Sequence, residues 1–177
     1  MSMGSIVPTV NARSVTHHQE RGRNMLEIGT DAPDFSLTSH RGATVHLADL
    51  RGRKRALLVF YPKDDTPGCT AQLCAIRDNF AALAEYDVTP FGINSDTAVE
   101  HTAFAEGQHY QFDLLVDEER TVARSYQAAT EGSAAPQRTV YIVGRDGTVI
   151  FAQRGAPSPG EMIAAVQAAN DGPAAGA

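Results

Sequence analysis

The stretch from Arg55 to Leu83, RALLVFYPKDDTPGCTAQLCAIRDNFAAL, constrains this chain more than any other. Ala56–Tyr61 is almost wholly apolar, as a central strand covered on both faces must be. Pro62 has no N–H for a ladder and ends the strand. A turn rich in Asp, Pro and Gly follows, and from Cys69 onward the apolar residues take a helical period. Leu73, Ile76, Phe80 and Leu83 follow Cys69 at intervals of four, three, four and three, so Cys69 shares the core-facing stripe of the helix. Cys74 comes five residues after Cys69, and the chain has 2 cysteines in all.

The rest of the chain arranges itself around that unit. Asp34–Thr38 and Thr44–Leu47 read as short strands on either side of turn residues His40–Gly42. Val88–Ile93 and Phe112–Val116 read as further strands, with helices over Thr97–Glu106 and around Glu119–Arg124. Ala128–Pro136 is a small-residue loop expected to be flexible. Thr139–Val143 and Thr148–Ala152 flank Arg145-Asp146-Gly147, a hairpin signal. Ser158, Pro159 and Glu161 form the start of a last helix with a capping box, and Met162, Ile163 and Val166 make its apolar face. Strands alternating with helices predict an α/β fold around a mixed central sheet flanked by helices. Residues 25–170 are expected to form one domain, with a flexible extension over 1–24 and a flexible tail over 171–177.

Charge and composition narrow the function. The net charge of −6 lacks the basic footprint of nucleic-acid binding. Residues 1–24 carry Arg13, Arg21 and Arg23 against Glu20, a net of +2, which leaves −8 for the remainder. Arg51, Arg53, Lys54 and Arg55 read as a solvated turn before the strand. No apolar run approaches the ~18 residues that span a bilayer, and no secretory signal is visible, which points to a cytoplasmic protein. His17 and His18 read as a solvated doublet, and His101 and His109 as surface or packing residues.

Two cysteines are too few for a disulfide-stapled scaffold, which leaves redox groups, metal ligands or buried packing. A zinc site would lack ligands, and a thioredoxin-like reductase would carry CxxC rather than this spacing. An ordinary thiol, with pKa near 8.5, is only a few per cent ionised at neutral pH, and the thiolate is the nucleophile. At the head of a helix, unpaired N–H groups and the positive dipole end favour that anion. Asp64 and Asp65 oppose it if they lie close. Thr66 offers a hydroxyl, Gly68 lets the backbone approach a ligand, Pro62 and Pro67 stiffen the turn, and an arginine would complete the site.

Tyr61-Pro62-Lys63-Asp64-Asp65-Thr66-Pro67-Gly68-Cys69-Thr70 resembles the peroxiredoxin active-site motif, Pro-x-x-x-Thr-x-x-Cys. The cysteine five residues on, with Arg77-Asp78-Asn79-Phe80 after it, is most similar to the Q subfamily, also called bacterioferritin comigratory protein. The similarity continues through Gly29-x-x-Ala32-Pro33-x-Phe35, Phe91-Gly92-Ile93-Asn94-Ser95-Asp96 and Arg138-Thr139-Val140-Tyr141-Ile142-Val143. It implies a thioredoxin-like fold with an N-terminal β extension. It also implies a thiol-dependent peroxidase in which Cys69 attacks the peroxide, Cys74 resolves the sulfenic acid as a disulfide, and Pro62, Thr66 and Arg138 line the pocket. Hydrogen peroxide or an alkyl hydroperoxide is then the substrate and a thioredoxin-like protein the reductant, with no cofactor or metal, no membrane or nucleic acid, and a monomer or weak dimer. Two departures stand out: a shorter loop between Tyr126 and Arg138, and Gly144 where Asp often follows the strand.

Helix geometry adds a separate expectation. Five residues apart on an ideal helix, two Cα atoms are about 8.6 Å apart and rotated by ~140°. A disulfide needs less than ~7 Å. The helix must therefore unwind locally before Cys69 and Cys74 can join. The competing functions are a one-cysteine peroxidase, with Cys74 a bystander, and a redox sensor in which Cys69 oxidation switches a partner without turnover.

Overall fold

The computed structural model describes residues 25–171. The expected extension over 1–24, and all of the expected tail but Asp171, lie outside the described residues. Strands β1 (Ser36–Thr38) and β2 (Thr44–His46) pair as a small antiparallel sheet, the N-terminal β extension. The main sheet holds β3 (Arg55–Phe60), β4 (Val88–Asn94), β5 (Asp113–Val116), β6 (Thr139–Val143) and β7 (Val149–Arg154), in the order β5-β4-β3-β6-β7. β3, β4 and β5 run parallel, while β6 and β7 pair antiparallel, so the sheet is mixed. Its helices are α1 (Pro67–Asp78), α2 (Phe80–Glu85), α3 (Ala98–Gln108), α4 (Thr121–Ser125) and α5 (Pro159–Asp171).

All residues of β3 are buried because it is the middle strand and both faces are covered. Successive side chains point to opposite faces. Leu57, Val59 and Tyr61 join Cys69, Leu73, Ile76, Leu83, Met162 and Val166 on the face covered by α1, α2, α3 and α5. Ala56, Leu58 and Phe60 face the other way, onto Phe35, Phe91, Tyr126 and Tyr141. Each large apolar side chain buried this way contributes about 1.5–3 kcal/mol. The outcome places the head of α1 at the carboxyl end of β3 and β4, the edge where open α/β sheets build their sites.

The helix read over Cys69–Leu83 is two helices. α1 ends at Asp78, and Asn79 turns its side-chain amide back to the Ala75 carbonyl at 2.8 Å. That local bond competes with helix continuation. The apolar period runs through the break, so it could not reveal it. Arg55 also departs from the reading of a solvated turn. It begins β3, is 5% exposed, and donates to the Tyr86 carbonyl at 2.6 Å and to the Asn170 side chain. α5 accordingly extends through Asn170 and Asp171, into the stretch read as tail.

The capping box of α5 is present: Glu161 N–H donates to Ser158 Oγ, and Ser158 N–H to Glu161 Oε2. α3 carries a second capping box, between Thr97 and Glu100, which the sequence reading passed over. At Gly144 a Cβ would meet Asp146 Oδ1 at 3.0 Å and Ile150 Cγ2 at 3.2 Å, so this tight hairpin turn favours glycine.

Candidate active site

The turn between β3 and α1 is tied to the end of β4. The Asp64 N–H donates to Asp96 Oδ2 at 2.7 Å, and Lys63 pairs with the same Asp96 at 3.3 Å. Asp65 takes a left-handed conformation, φ 57°, which reverses the chain toward Thr66. Thr66 is the N-cap of α1 in extended backbone, but its hydroxyl does not cap the helix; it donates to the Lys63 carbonyl at 3.1 Å. Pro67 occupies the first helical position, where a missing N–H costs nothing. The first helical bond runs from Thr70 N–H to Thr66 O, so the N–H groups of Gly68 and Cys69 precede it.

Cys69 is fully buried, and the Arg138 guanidinium reaches it across the sheet. Arg138 Nη2 lies 3.3 Å from Cys69 Sγ, while Nη1 donates to Gln72 Oε1 at 2.7 Å. Gln72 in turn donates to the Gly155 carbonyl at 3.4 Å, and Gly155 N–H to the Arg138 carbonyl. The guanidinium is thus held at both ends. Gly68 is needed for that approach, since a Cβ there would stand 3.0 Å from Arg138 Nη2. A buried sulfur facing a permanent cation and the head of a helix is a site for an anionic nucleophile.

Over residues 28–152 the sequence matches the AhpC/TSA family. The chain belongs to that family, the thiol-dependent peroxidases called peroxiredoxins. A Coxiella burnetii protein named as a bcp peroxiredoxin is 34% identical over 130 residues, covering 70% of this chain and 85% of that one. Peroxiredoxin Bcp of Bacillus subtilis is 43% identical over 101 residues, covering 57% of this chain and 64% of that one. In structure, the peroxidoxin BcpB of Mycobacterium tuberculosis superposes with a TM-score of 0.75 at 28% identity, covering 81% of this peroxiredoxin and 97% of that one.

The other cysteine lies on the same unbroken helix of this peroxiredoxin, and both sulfurs are free thiols. Cys74 is half-buried and faces the segment joining α3 to β5. Its S–H donates to Gln108 Oε1 at 3.5 Å, and its sulfur lies 3.7 Å from the Tyr110 hydroxyl. Burial, and then the bond with Cys74, push the Tyr110 hydroxyl far above its ordinary range, so it stays a neutral phenol. Arg77 Nη1 donates to the Gln108 carbonyl at 2.8 Å and fastens the same half of α1 to that segment.

Of the residues expected at the pocket, Cys69, Arg138 and Thr66 converge on the head of α1, and half-buried Pro62 opens the turn below them. Cys74 faces elsewhere. A groove of about 600 Å³ runs from Lys63 and Thr66 past Phe104 to Gln108, and neither cysteine lines it. Gln72 was missed on sequence, although a polar residue three positions after Cys69 on a buried stripe was a visible signal. His101 and His109, read as surface or packing residues, divide between the two: His101 is fully buried and paired with Asp64, a partner not foreseen on sequence, and His109 is an exposed cap of α3. Among the described residues, no group of three or more His, Cys, Asp or Glu is placed to hold a metal ion. No helix of theirs is long and apolar enough to cross a membrane.

Proposed function

We propose that Cys69 is the peroxidatic nucleophile and Cys74 its resolving partner. The Cys69 thiolate attacks one oxygen of hydrogen peroxide or an alkyl hydroperoxide; the O–O bond breaks, water or an alcohol leaves, and the sulfur becomes a sulfenic acid. The Cys74 thiolate then displaces that hydroxyl as water, forming an intramolecular disulfide. A thioredoxin-like dithiol protein reduces the disulfide, and the cytoplasm, where such dithiols are maintained, is the expected compartment. The observation that carries this reading is the Arg138 guanidinium 3.3 Å from the Cys69 sulfur. There it supports the thiolate and meets charge building on the departing oxygen.

Both cysteines on one continuous helix also support a moving second step. Ideal geometry keeps their Cα atoms about 8.6 Å apart, beyond the ~7 Å reach of a disulfide, so α1 unwinds before they join. One assay tests the scheme: peroxide consumption with a thioredoxin system, by wild type, Cys69→Ser and Cys74→Ser, with far-UV circular dichroism before and after oxidation. Wild type turns over repeatedly and loses helical signal as its disulfide forms. Cys69→Ser is inactive, and Cys74→Ser consumes one equivalent and stops. One equivalent and arrest in wild type, with competent reductant present, would show a sensor instead. Full turnover by Cys74→Ser would show a one-cysteine peroxidase.

A further inference from the structure

Asp64 sets a carboxylate, 8% exposed, in the turn that carries the thiol, five residues before Cys69. Tyr61 bridges the two groups: its hydroxyl donates to the Asp64 carboxylate while its ring packs in the same buried cluster as Cys69, so the carboxylate and the sulfur share one neighbourhood. A negative charge there disfavours a second one on Cys69. The turn therefore holds a group that works against the thiolate its own helix favours.

The packing resolves the conflict. Asp64 Oδ1 accepts from the Tyr61 hydroxyl at 2.6 Å and from Asn94 Nδ2 at 3.1 Å. Asp64 Oδ2 lies 2.6 Å from His101 Nδ1, and His101 Nε2 donates to the Leu115 carbonyl at 3.0 Å. Because a carbonyl can only accept, His101 Nε2 carries a hydrogen. One further proton lies between Asp64 Oδ2 and His101 Nδ1. Wherever it sits, the pair has no net charge. The other charged or titratable groups around the pair are Tyr61 on the β3 side, Asp96 with Lys63 at the end of β4, Glu100 beside His101 on α3, Tyr110 after α3, and His40 from the β1–β2 turn, whose own protonation His101 opposes.

We propose that His101 is a positioning residue for the peroxidatic turn. Paired with Asp64, it pins the segment that leads to Thr66 and cancels the buried negative charge that would oppose the Cys69 thiolate. The proposal rests on Cys69 being the attacking thiolate. His101 touches neither the sulfur nor a peroxide; it acts through Asp64, and it links α3, β5 and the turn in one chain of bonds.

The test uses the full chain as wild type, His101→Gln and the double variant Asp64→Asn/His101→Gln. The readout is alkylation of Cys69 by iodoacetamide against pH, followed on the Cys69 peptide by mass spectrometry, beside thermal melting. In His101→Gln, alkylation at neutral pH slows about tenfold and the midpoint of its profile rises by about one pH unit. The double variant has no carboxylate to balance, so it returns to within about threefold of wild type while melting lower than wild type. A His101→Gln profile that superposes on wild type, with only the melting temperature lowered, overturns the proposal. So does a folded double variant that alkylates about tenfold more slowly than wild type. If His101→Gln does not fold, the double variant alone decides. Alkylation needs no peroxide: a chain that behaves as expected here but never consumes peroxide refutes the peroxidase scheme, and with it the role of His101 in peroxide attack, while the charge balance at Cys69 holds.

Discussion

Cys69 and Cys74 share one helix, yet a guanidinium faces the first sulfur while an amide and a phenol face the second. Cys69 is fully enclosed, and its arginine is braced by Gln72. Cys74 is half-buried against neutral groups, and Arg77, the cation on that side, is occupied by Asp78 and the Gln108 carbonyl. Fixed charge suits a group that must react at once, because no reorganisation is then needed when charge moves. Neutral, weak sulfur bonds suit a group that must be held and then released. The two sulfurs of α1 thus sit in opposite surroundings, one charged and one neutral, as the proposed division of tasks requires.

The largest expected effect breaks this comparison at its charged end. Arg138→Ala slows the first oxidation of Cys69 by about 10²–10³-fold, measured by stopped flow in a single turnover. The later disulfide step keeps its rate. Arg138→Lys recovers only part of the loss, since an ammonium cannot bond Gln72 and the sulfur in one planar fork. Equal slowing of both steps would show that the two ends are not separate.

A smaller effect sharpens the neutral end. Tyr110→Phe and Gln108→Ala each remove one bond that holds reduced Cys74 in place. The disulfide then forms about two- to fivefold faster after oxidation, since a net hydrogen bond is worth about 0.5–1.5 kcal/mol. The peroxide step is unchanged. A slower disulfide step in either variant would mean that these groups activate the thiol rather than hold it.

The smallest effect lies away from both sulfurs, at His40. Its Nδ1 accepts from the Leu114 N–H at 3.1 Å, and burial, the largest cause, lowers its pKa below the ordinary value. The unfolded chain therefore takes up this proton first. The stability His40 contributes is complete above about pH 6.5 and declines as pH falls below it, until the folded imidazole also protonates. His40→Asn, whose side-chain oxygen can accept the same bond, should lessen the fall in melting temperature between pH 7 and pH 5 by about 2 °C. A fall no smaller than in wild type would remove His40 from the account.

What the sequence disclosed follows physical lines. The strand at Ala56, the turn, the start of α1 and the hairpin after Val143 were legible because each rests on local chemistry: unbroken apolarity, proline, glycine, helical period. The Ser158–Glu161 cap was legible for the same reason. Asn79 was not, because the apolar stripe crosses the break undisturbed. Arg55 was misread, Gln72 was missed and the partner of His101 was not foreseen, because polar residues suggest solvent until a partner far along the chain is known. Their partners lie at Asn170, Arg138 and Asp64. Arg138, which lies beside Cys69, was singled out through family resemblance, since spacing alone cannot select one arginine among many.

The break at Asn79 sets a limit on how far disorder can spread. In the proposed disulfide step α1 loosens, while Leu83 in the core and Phe80 packed against it anchor α2. On the other side, Asp64 stays fastened to Asn94, Asp96 and His101. Amide exchange in the oxidised chain should accelerate between Pro67 and Asp78 and remain slow in α2 and β3. In the proposed cycle at most the 12 residues of α1 change state, and the rest of the fold does not have to reopen.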